Sequence, residues 1–515
     1  MKRLFFFFLV GINLIGYAQE KFTLSGSIFE AEGQETLIGA NVLILDLKTG
    51  TISNEYGFYS ITLKRGTYEI TVSTIGYASL QETITLDRDI SQNFTLTEAG
   101  ESLDEVLIET NIETLNIKTP QMSVNSLSAS TIKQIPVVFG EADVIKAITL
   151  LPGVSSAGEG AAGFNVRGGA ADQNLILLDE ATIFNSSHLF GLFSVFNPDA
   201  IKNLKLYKGG IPAKYGGRVA SVLDIYQKEG NKNEFHANGG IGLVASRLLL
   251  EGPIKKGSGS FLLGGRASYA HLFLPLFDID NIAYFYDLNT KLSYKINQKN
   301  NIYLSGYFGR DVFNVSESFE NTYGNTVVNF RWNHLFSDQL FSNLSLIYSD
   351  YYYGLNLNFV GFEWNSGIQN MNIKYDFKQY ISDRYKLEYG VHSTYYRFNP
   401  GIISPNGPES GINKEELTNK FAFENAVYID VNQQVTDRLA LSYGARLSTF
   451  LRLGQKELNV YENGQAIRFN NDLQFYEKID PIGIKSDGHG KVIKSFMNLE
   501  PRVALSYQLD DETSI

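Results

Sequence analysis

Cysteine is missing from all 515 residues, so the chain can form no disulfide, no thiolate metal site and no lipid anchor through an N-terminal cysteine. Long apolar runs are missing too. Beyond the first residues no segment approaches the ~18 uninterrupted apolar residues that a spanning helix needs. Proline is scarce, at 12 residues, and no stretch is rich in helix formers. Basic charge is in deficit: 44 Lys and Arg against 55 Asp and Glu leave a net charge of −11. That disfavours nucleic acid as a partner, since a backbone binder needs a basic face. The six histidines (His188, His236, His271, His334, His392 and His489) are scattered, with no H-E-x-x-H and no H-x-x-E spacing, and no G-x-S-x-G is present. The expectation is therefore a protein that is not an enzyme, with no cofactor and no bound metal.

What the chain does have is 30 Tyr, 35 Phe and 47 Gly, a mixture that favours many strands. It opens with MKRLFFFFLVGINLIGYAQE. Lys2 and Arg3 precede an apolar stretch from Leu4 to Ile15, and Gly16, Tyr17 and Ala18 supply a small-residue cleavage pattern. Residues 1–18 read as a secretory signal.

From 21 to 97, short runs such as FTLSGSIFE, ANVLILDL, GFYSITL and TYEITVSTIGY alternate with turn residues, as in a small antiparallel sandwich. The next stretch is mixed. Ser126 to Ile132 reads as the approach to a short helix, and GEADVIKAITLLPGV as a helix stopped by Pro152-Gly153. FNVRGG, LILLDE, IKNLKLYKGG and VASVLDI read as strands, with Ile176, Leu177 and Leu178 apolar enough for burial on both faces.

The last part, 231–515, carries the clearest signal. NMNIKYDFK sets Met371, Ile373, Tyr375 and Phe377 against Asn372, Lys374, Asp376 and Lys378. LNTKLSYKIN and RLALSYGARLSTFLR alternate in the same way over ~10-residue strands. Short connections (INQKNN, FSDQ, ISDR, VTDR) alternate with long ones, including DVFNVSESFENTYGN, NPGIISPNGPESGINKEELTNK and about 454–494. A membrane barrel predicts this rhythm, and a closed sheet leaves no backbone group unpaired in lipid. The fold class expected is mainly β: a small N-terminal sandwich, an α+β middle domain, then an antiparallel transmembrane barrel of about twelve strands. The last residues, LDDETSI, end on Ile515 rather than on a C-terminal aromatic. The expectation is a chain cut off part-way round a barrel of the ~22-stranded plugged class.

From about residue 98 onward the chain resembles the TonB-dependent outer-membrane receptors. The likeness lies in LPGVSSAGEGAAGFNVRGGAADQNLILLDE, in NPDAIKNLKLYKGG and in YGGRVASVLDI, which follow that family's plug domain almost throughout. The front region, with its GANV and G-x-Y-x-I-x-V-x-x-I-G-Y runs, resembles the carboxypeptidase-regulatory-like (transthyretin-like) domain, a non-catalytic companion. The resemblance implies a signal (1–18), the sandwich (21–97), a TonB-box linker (98–111), the plug (112–230) and the barrel (231–515). It places a TonB box at Leu103, Asp104, Glu105, Val106, Leu107 and Ile108, where a β-prone core could add a strand to a partner's sheet; a plain linker or a last sandwich strand is the alternative.

The plug residues allow two readings each. Gly158, Gly160 and Gly163 spell G-x-G-x-x-G, but a helix stop precedes them and a strand follows, the wrong context for a dinucleotide loop. Arg167, followed by Gly168 and Gly169, could grip an anion or pair with barrel-wall carboxylates that hold the plug in place; Arg218 reads likewise. Asp179 and Glu180 could be an acid/base pair, but neighbours on a strand face opposite sides, so pairing with such arginines is the expectation. His392 is expected to line the lumen. Tyr351, Tyr352 and Tyr353 could stack on sugars or form part of an aromatic girdle.

The resemblance implies import of a scarce solute across a bacterial outer membrane, with the front domain in the periplasm. Its partners would be TonB with the inner-membrane proton-motive complex, outer-membrane lipid and an extracellular solute, with a surface lipoprotein left open. Siderophore, glycan, peptide and vitamin are equally open as cargo. A signalling or adhesive barrel with a static plug is the rival reading.

Overall fold

The computed structural model describes residues 20–509 except 48, 100–122, 136–140, 159–162, 278–280, 316–317, 456, 487 and 489. The signal (1–18) and the box Leu103–Ile108 lie outside the described residues. Among the described residues no helix is long and apolar enough to cross a membrane.

The front module is built from eight strands: β1 (Lys21–Glu30), β2 (Asn41–Ile44), β3 (Thr49–Ile52), β4 (Phe58–Lys64), β5 (Gly66–Ser73), β6 (Leu80–Leu86), β7 (Ile90–Ser91) and β8 (Phe94–Leu96). They form two sheets, β4-β1-β7 with β8 beside β1, and β3-β2-β5-β6. Alternate residues of each strand meet in one core that includes Leu24, Ile28, Val42, Tyr59, Ile61, Ile70 and Phe94.

The middle domain begins with β9 (Val124–Ser128) and α1 (Ala129–Gln134), whose N-cap Ser128 accepts from the Thr131 amide. Helix α2 (Val144–Thr149) is capped by Asp143 and buries Val144, Ile145, Ala147 and Ile148. A short hairpin of β10 (Val154–Ser156) and β11 (Phe164–Val166) follows. After β12 (Asn174–Leu178), β13 (Ala181–Thr182), β14 (Ile201–Tyr207) and β15 (Ser221–Gln227), the sheet order is β13-β12-β15-β14-β9. A helix and a hairpin thus surround Gly158 and Gly163, which leaves no strand–loop–helix for a nucleotide.

Twelve long strands make the third part: β16 (His236–Ile241), β17 (Ala245–Lys255), β18 (Gly259–Ser268), β19 (Ile282–Asn297), β20 (Asn300–Val315), β21 (Phe319–Ser337), β22 (Leu340–Leu357), β23 (Phe362–Ser382), β24 (Tyr385–Pro405), β25 (Lys420–Gln434), β26 (Leu439–Leu453) and β27 (Val492–Tyr507). Each pairs antiparallel with the next. The two-residue strand Glu415–Glu416 pairs the far end of β24.

Side-chain direction in this sheet is inverted relative to a water-soluble one. On β19, Leu288 and Leu292 are each 43% exposed on the outside, while Asn289 and Lys291 are 2% exposed on the inside. On β21, Val328 and Phe330 face out, and Asn329, Arg331 and Asn333 are buried. Inside the curve sits the middle domain, whose apolar core incorporates Tyr307, Val327 and Ile347 of the wall. An apolar outer band around a polar lumen is the arrangement for lipid outside and a stopper inside.

One sequence expectation is overturned. DVFNVSESFENTYGN is not a long loop, because Asp311–Val315 ends β20 and Phe319–Asn325 begins β21, in register from Val315 opposite Phe319 onward. Its alternation simply continues past the length a membrane requires, and Phe313 and Phe319 close the tip edge-to-face. Since ~9–11 residues span a bilayer, the 18- to 21-residue strands β22, β23 and β24 project well beyond it at one end.

Two positions test the lipid face. Leu292→Arg, near mid-strand, should cost about 2–4 kcal/mol in urea unfolding from lipid vesicles, and Ile296→Arg, beside a short turn, about 0–1 kcal/mol. Equal costs at the two depths would rule out the membrane orientation.

Candidate plug–barrel interface

Strand β12 ends in a two-residue hairpin, because Leu178 pairs with Ala181 and Leu177 with Thr182. The residues between, Asp179 and Glu180, have φ of 46° and 70°, as a type I′ turn demands. Aspartate suits the first of these positions, but the second prefers glycine, so Glu180 strains the tip by about 1–3 kcal/mol unless its surroundings hold it. The wall does so. Asp179 lies 2.9 Å from Lys291 of β19, accepts from the Gln227 amide, and its carbonyl accepts from Asn329. Glu180 lies 3.0 Å from Lys374 of β23 and 3.8 Å from Arg331 of β21, and accepts from Asn343 and Ser345. Burial alone would raise the Glu180 carboxyl, but Lys374 and Arg331 hold it below its usual range.

The expectation that two strand neighbours must face opposite sides therefore fails, since these residues sit on a turn and both reach the wall. Their partners are two lysines and one arginine of the barrel, not Arg167 or Arg218. Arg167 is exposed, has φ +49°, and donates to Ser123 within the plug at 2.7 Å. Gly168 turns the chain, and a Cβ on Gly169 would come 2.6 Å from that of Ala220, so this segment packs on the plug itself. Arg218 is exposed and bonds the Gly217 carbonyl. Among the described residues neither arginine is ion-paired to the wall. Instead, wall arginines reach inward to the YGGR approach: Arg446 donates to the carbonyls of Ala213 and Lys214, and Arg502 to those of Ile211 and Tyr215. A Cβ on Gly216 would lie 2.4 Å from the Arg446 Nε, which explains the small residue there.

A further contact was not visible as a motif. His188 is buried, stacked on Phe285 at 4.3 Å, and placed between two wall carboxylates, with Nδ1 2.6 Å from Asp311 and Nε2 3.2 Å from Asp287. Arg266 joins Asp287 to Glu141 of the plug. Burial lowers the His188 pKa, but Asp311 and Asp287 outweigh it and leave it raised. His392 faces the lumen from β24, 2.7 Å from Asp376. The tyrosine triplet is split by alternation: Tyr351 faces Phe184 of the plug, Tyr353 packs on Trp364, and Tyr352 lies under Arg310 on the opposite face. Among the described residues no group of three or more His, Asp or Glu could hold a metal ion.

A lumen-filling α+β domain bonded to an inside-out sheet is the architecture with which known proteins can now be compared. Residues 24–108 match the model of the CarboxypepD_reg-like domain, and residues 116–222 match the TonB-dependent Receptor Plug Domain. The chain therefore carries a plug domain of the TonB-dependent receptor type behind a CarboxypepD_reg-like domain. The TonB-dependent receptor SusC of Bacteroides thetaiotaomicron is 28% identical to this chain over 239 residues, which cover 43% of the chain and 22% of SusC. The match thus spans about a fifth of that relative's length. Among solved structures, the siderophore receptor PirA of Acinetobacter baumannii aligns with a TM-score of 0.52 at 15% identity, over 78% of this chain and 70% of PirA. The alcaligin receptor FauA of Bordetella pertussis aligns with a TM-score of 0.53 at 14% identity, over 76% and 61%. At such identities these structures speak for the fold alone.

Two outcomes follow for this chain. Asp179→Ala, which leaves Lys291 buried without its partner, should cost about 3–5 kcal/mol of plug stability in hydrogen exchange, against under about 0.5 kcal/mol for Arg218→Ala. The His188 contact should be pH-dependent. With a folded pKa above the unfolded ~6.5, its stabilisation is complete below that value and is lost as pH rises through the folded one. Plug exchange should therefore speed up on the alkaline side, and His188→Asn should flatten the profile.

Proposed function

We propose that this protein imports a scarce solute across a bacterial outer membrane, with the middle domain as a movable stopper. The observation that carries the reading is the chemistry of the seam. The plug meets the wall through buried ion pairs and hydrogen bonds at Asp179, Glu180 and His188 rather than through a continuous apolar face. A buried ion pair stabilises no better than well-packed apolar groups of the same volume, so a permanent stopper would have little reason for it. A seam that must open benefits, because each separated charge can be rehydrated.

In this reading the long-strand end faces outward and takes the solute, and the front module lies in the periplasm at the short-turn end. TonB, powered by the inner-membrane proton gradient, adds a strand to Leu103–Ile108 and pulls on the plug. Asp179 and Glu180 act as the plug–barrel lock, supported by their distances to Lys291 and Lys374. The match of 116–222 to the plug-domain model and the likeness to the TonB-dependent receptor SusC support this class of activity without naming the cargo.

Deleting Leu103–Ile108 should abolish retention of the receptor on an immobilised TonB periplasmic domain and abolish uptake by cells, while solute binding at the surface is spared. Retention and uptake that survive the deletion would remove this assignment.

A further inference from the structure

We propose that the front module is a clamp on the stopper: its Asn54–Phe58 turn enters the short-turn mouth of the barrel and ties a plug lysine to a wall lysine, holding the plug shut until the module withdraws. The inference rests on the reading of the middle domain as a stopper.

The turn is prebuilt on the sandwich. The Asn54 Oδ1 accepts from the amides of Tyr56 and Phe58 at 2.9 and 3.0 Å, and Gly57 sits at φ +77°, where a Cβ would come 2.6 Å from Thr36. It carries three side chains across the seam. The Glu55 carboxylate bonds Lys214 of the plug through one oxygen and Lys378 of β23, 2.5 Å away, through the other. Burial would raise the Glu55 carboxyl, but Lys214 and Lys378 hold it well below the usual carboxylate range. Tyr56 donates to Glu180 at 3.0 Å and lies under the guanidinium of Arg331 at 4.9 Å, so it touches the lock itself. Phe58 and Tyr56 stack on Phe341, with Phe58 also edge-on to Tyr380.

Withdrawal of this turn would take away the carboxylate shared by Lys214 and Lys378, leaving Lys378 with Glu388 of β24 at 3.2 Å, Lys214 without its ion pair, and Glu180 short of one donor. Both changes loosen plug from wall. The remaining attachments are polar and therefore replaceable by water. Short-turn tips contribute Ser25 to Asp338 at 2.9 Å, Gln339 to Thr62 at 2.8 Å and to Thr23 at 3.0 Å, and Lys386 to Thr51 at 3.0 Å, while the 32–36 loop meets the plug and its exit through Thr36 to Glu229 at 2.6 Å, Lys202 to Glu35 at 3.2 Å, Lys232 to the Gln34 carbonyl at 2.9 Å and Asn233 to the Glu32 carbonyl at 2.7 Å. A cavity of about 1960 Å³ opens between the front module, the plug around β9 and the ends of β23 and β24, so the module meets the mouth at separate points and not over a whole face. Its own core closes without the barrel, so it can leave folded.

The test is ionic conductance of the intact receptor in planar bilayers in potassium chloride. E55Q and Y56F should raise the open probability about tenfold or more, the effect of losing a hydrogen bond to a charged group. E55Q/K378M should fall back toward the parent, because the lysine pair no longer repels. The chain has no cysteine, so S25C and D338C can be joined by a short bismaleimide, and joining them should suppress opening in the parent and in E55Q. Parent-like conductance of E55Q and Y56F, or a larger leak in E55Q/K378M than in E55Q, would overturn the clamp. Should E55Q fail to fold, the cross-link in the parent decides alone: opening unchanged by it sinks the proposal. Neither solute nor energy source is needed, so the result is independent of whether import itself is confirmed.

Discussion

Backbone amides and carbonyls in hydrocarbon have only one another as partners, and the rest of this molecule follows from that constraint. It calls for an unbroken antiparallel ladder, and twelve successive strands provide one. A ladder with lipid on one side must turn its apolar side chains outward, which leaves the inward positions to polar ones. Lys291, Arg331, Lys374 and Asp287 are therefore inside for the same reason that Leu292, Phe330 and Ile373 are outside. A lumen of that character cannot be filled by an ordinary apolar surface. The plug keeps its apolar residues mostly for its own core and meets the wall with carboxylates, a histidine and backbone carbonyls.

That division of labour also sets the energetics. Lys291 and Lys374 of the wall were costly to bury, and each is ion-paired to a plug carboxylate, Asp179 or Glu180. The strained Asp179-Glu180 tip adds to this, since its left-handed backbone is held by the same bonds that hold the plug. The seam is consequently stable as a whole and sensitive at single points. An apolar interface of equal area would be more forgiving of mutation and harder to open.

How much of this could be read from residues depended on range. Period-two alternation in LNTKLSYKIN, NMNIKYDFK and RLALSYGARLSTFLR is a local property, and it correctly separated lumen-facing from lipid-facing positions. The α2 helix and its stop at Pro152-Gly153 were equally local. The lock was not. Asp179 meets Lys291, and Glu180 meets Lys374, across more than a hundred residues, and nothing in one sequence registers such pairs. Arg167, followed by two glycines, is conspicuous in the sequence, yet its partner is Ser123 in its own domain. A subtler signal was available: lysines midway along the polar face of membrane strands need a counter-charge from inside. LILLDE followed at once by Ala181-Thr182 also has the length of a two-residue hairpin, which would have taken both carboxylates off the strand. In DVFNVSESFENTYGN the turn-forming residues mask an alternation that runs on through both strand ends.

The two ends of the sheet differ in a way that bears on direction. At one end the turns are short, two to four residues long, and their polar tips (Asp338-Gln339, for example) offer isolated hydrogen-bonding groups. A small folded module can rest on such tips, and the front sandwich does. At the other end the strands overrun the bilayer and carry lumen-facing aromatics, Tyr351 and Tyr353, beside plug residue Phe184 and wall residue Trp364. Contacts there are with rings and amides on rigid strands, a surface suited to recognition rather than to docking a domain. The β12–β13 tip touches the wall at Glu180, and Tyr56 of the front module touches Glu180 in turn. A displacement of that tip must therefore change the hydrogen bonding of the module at the short-turn mouth.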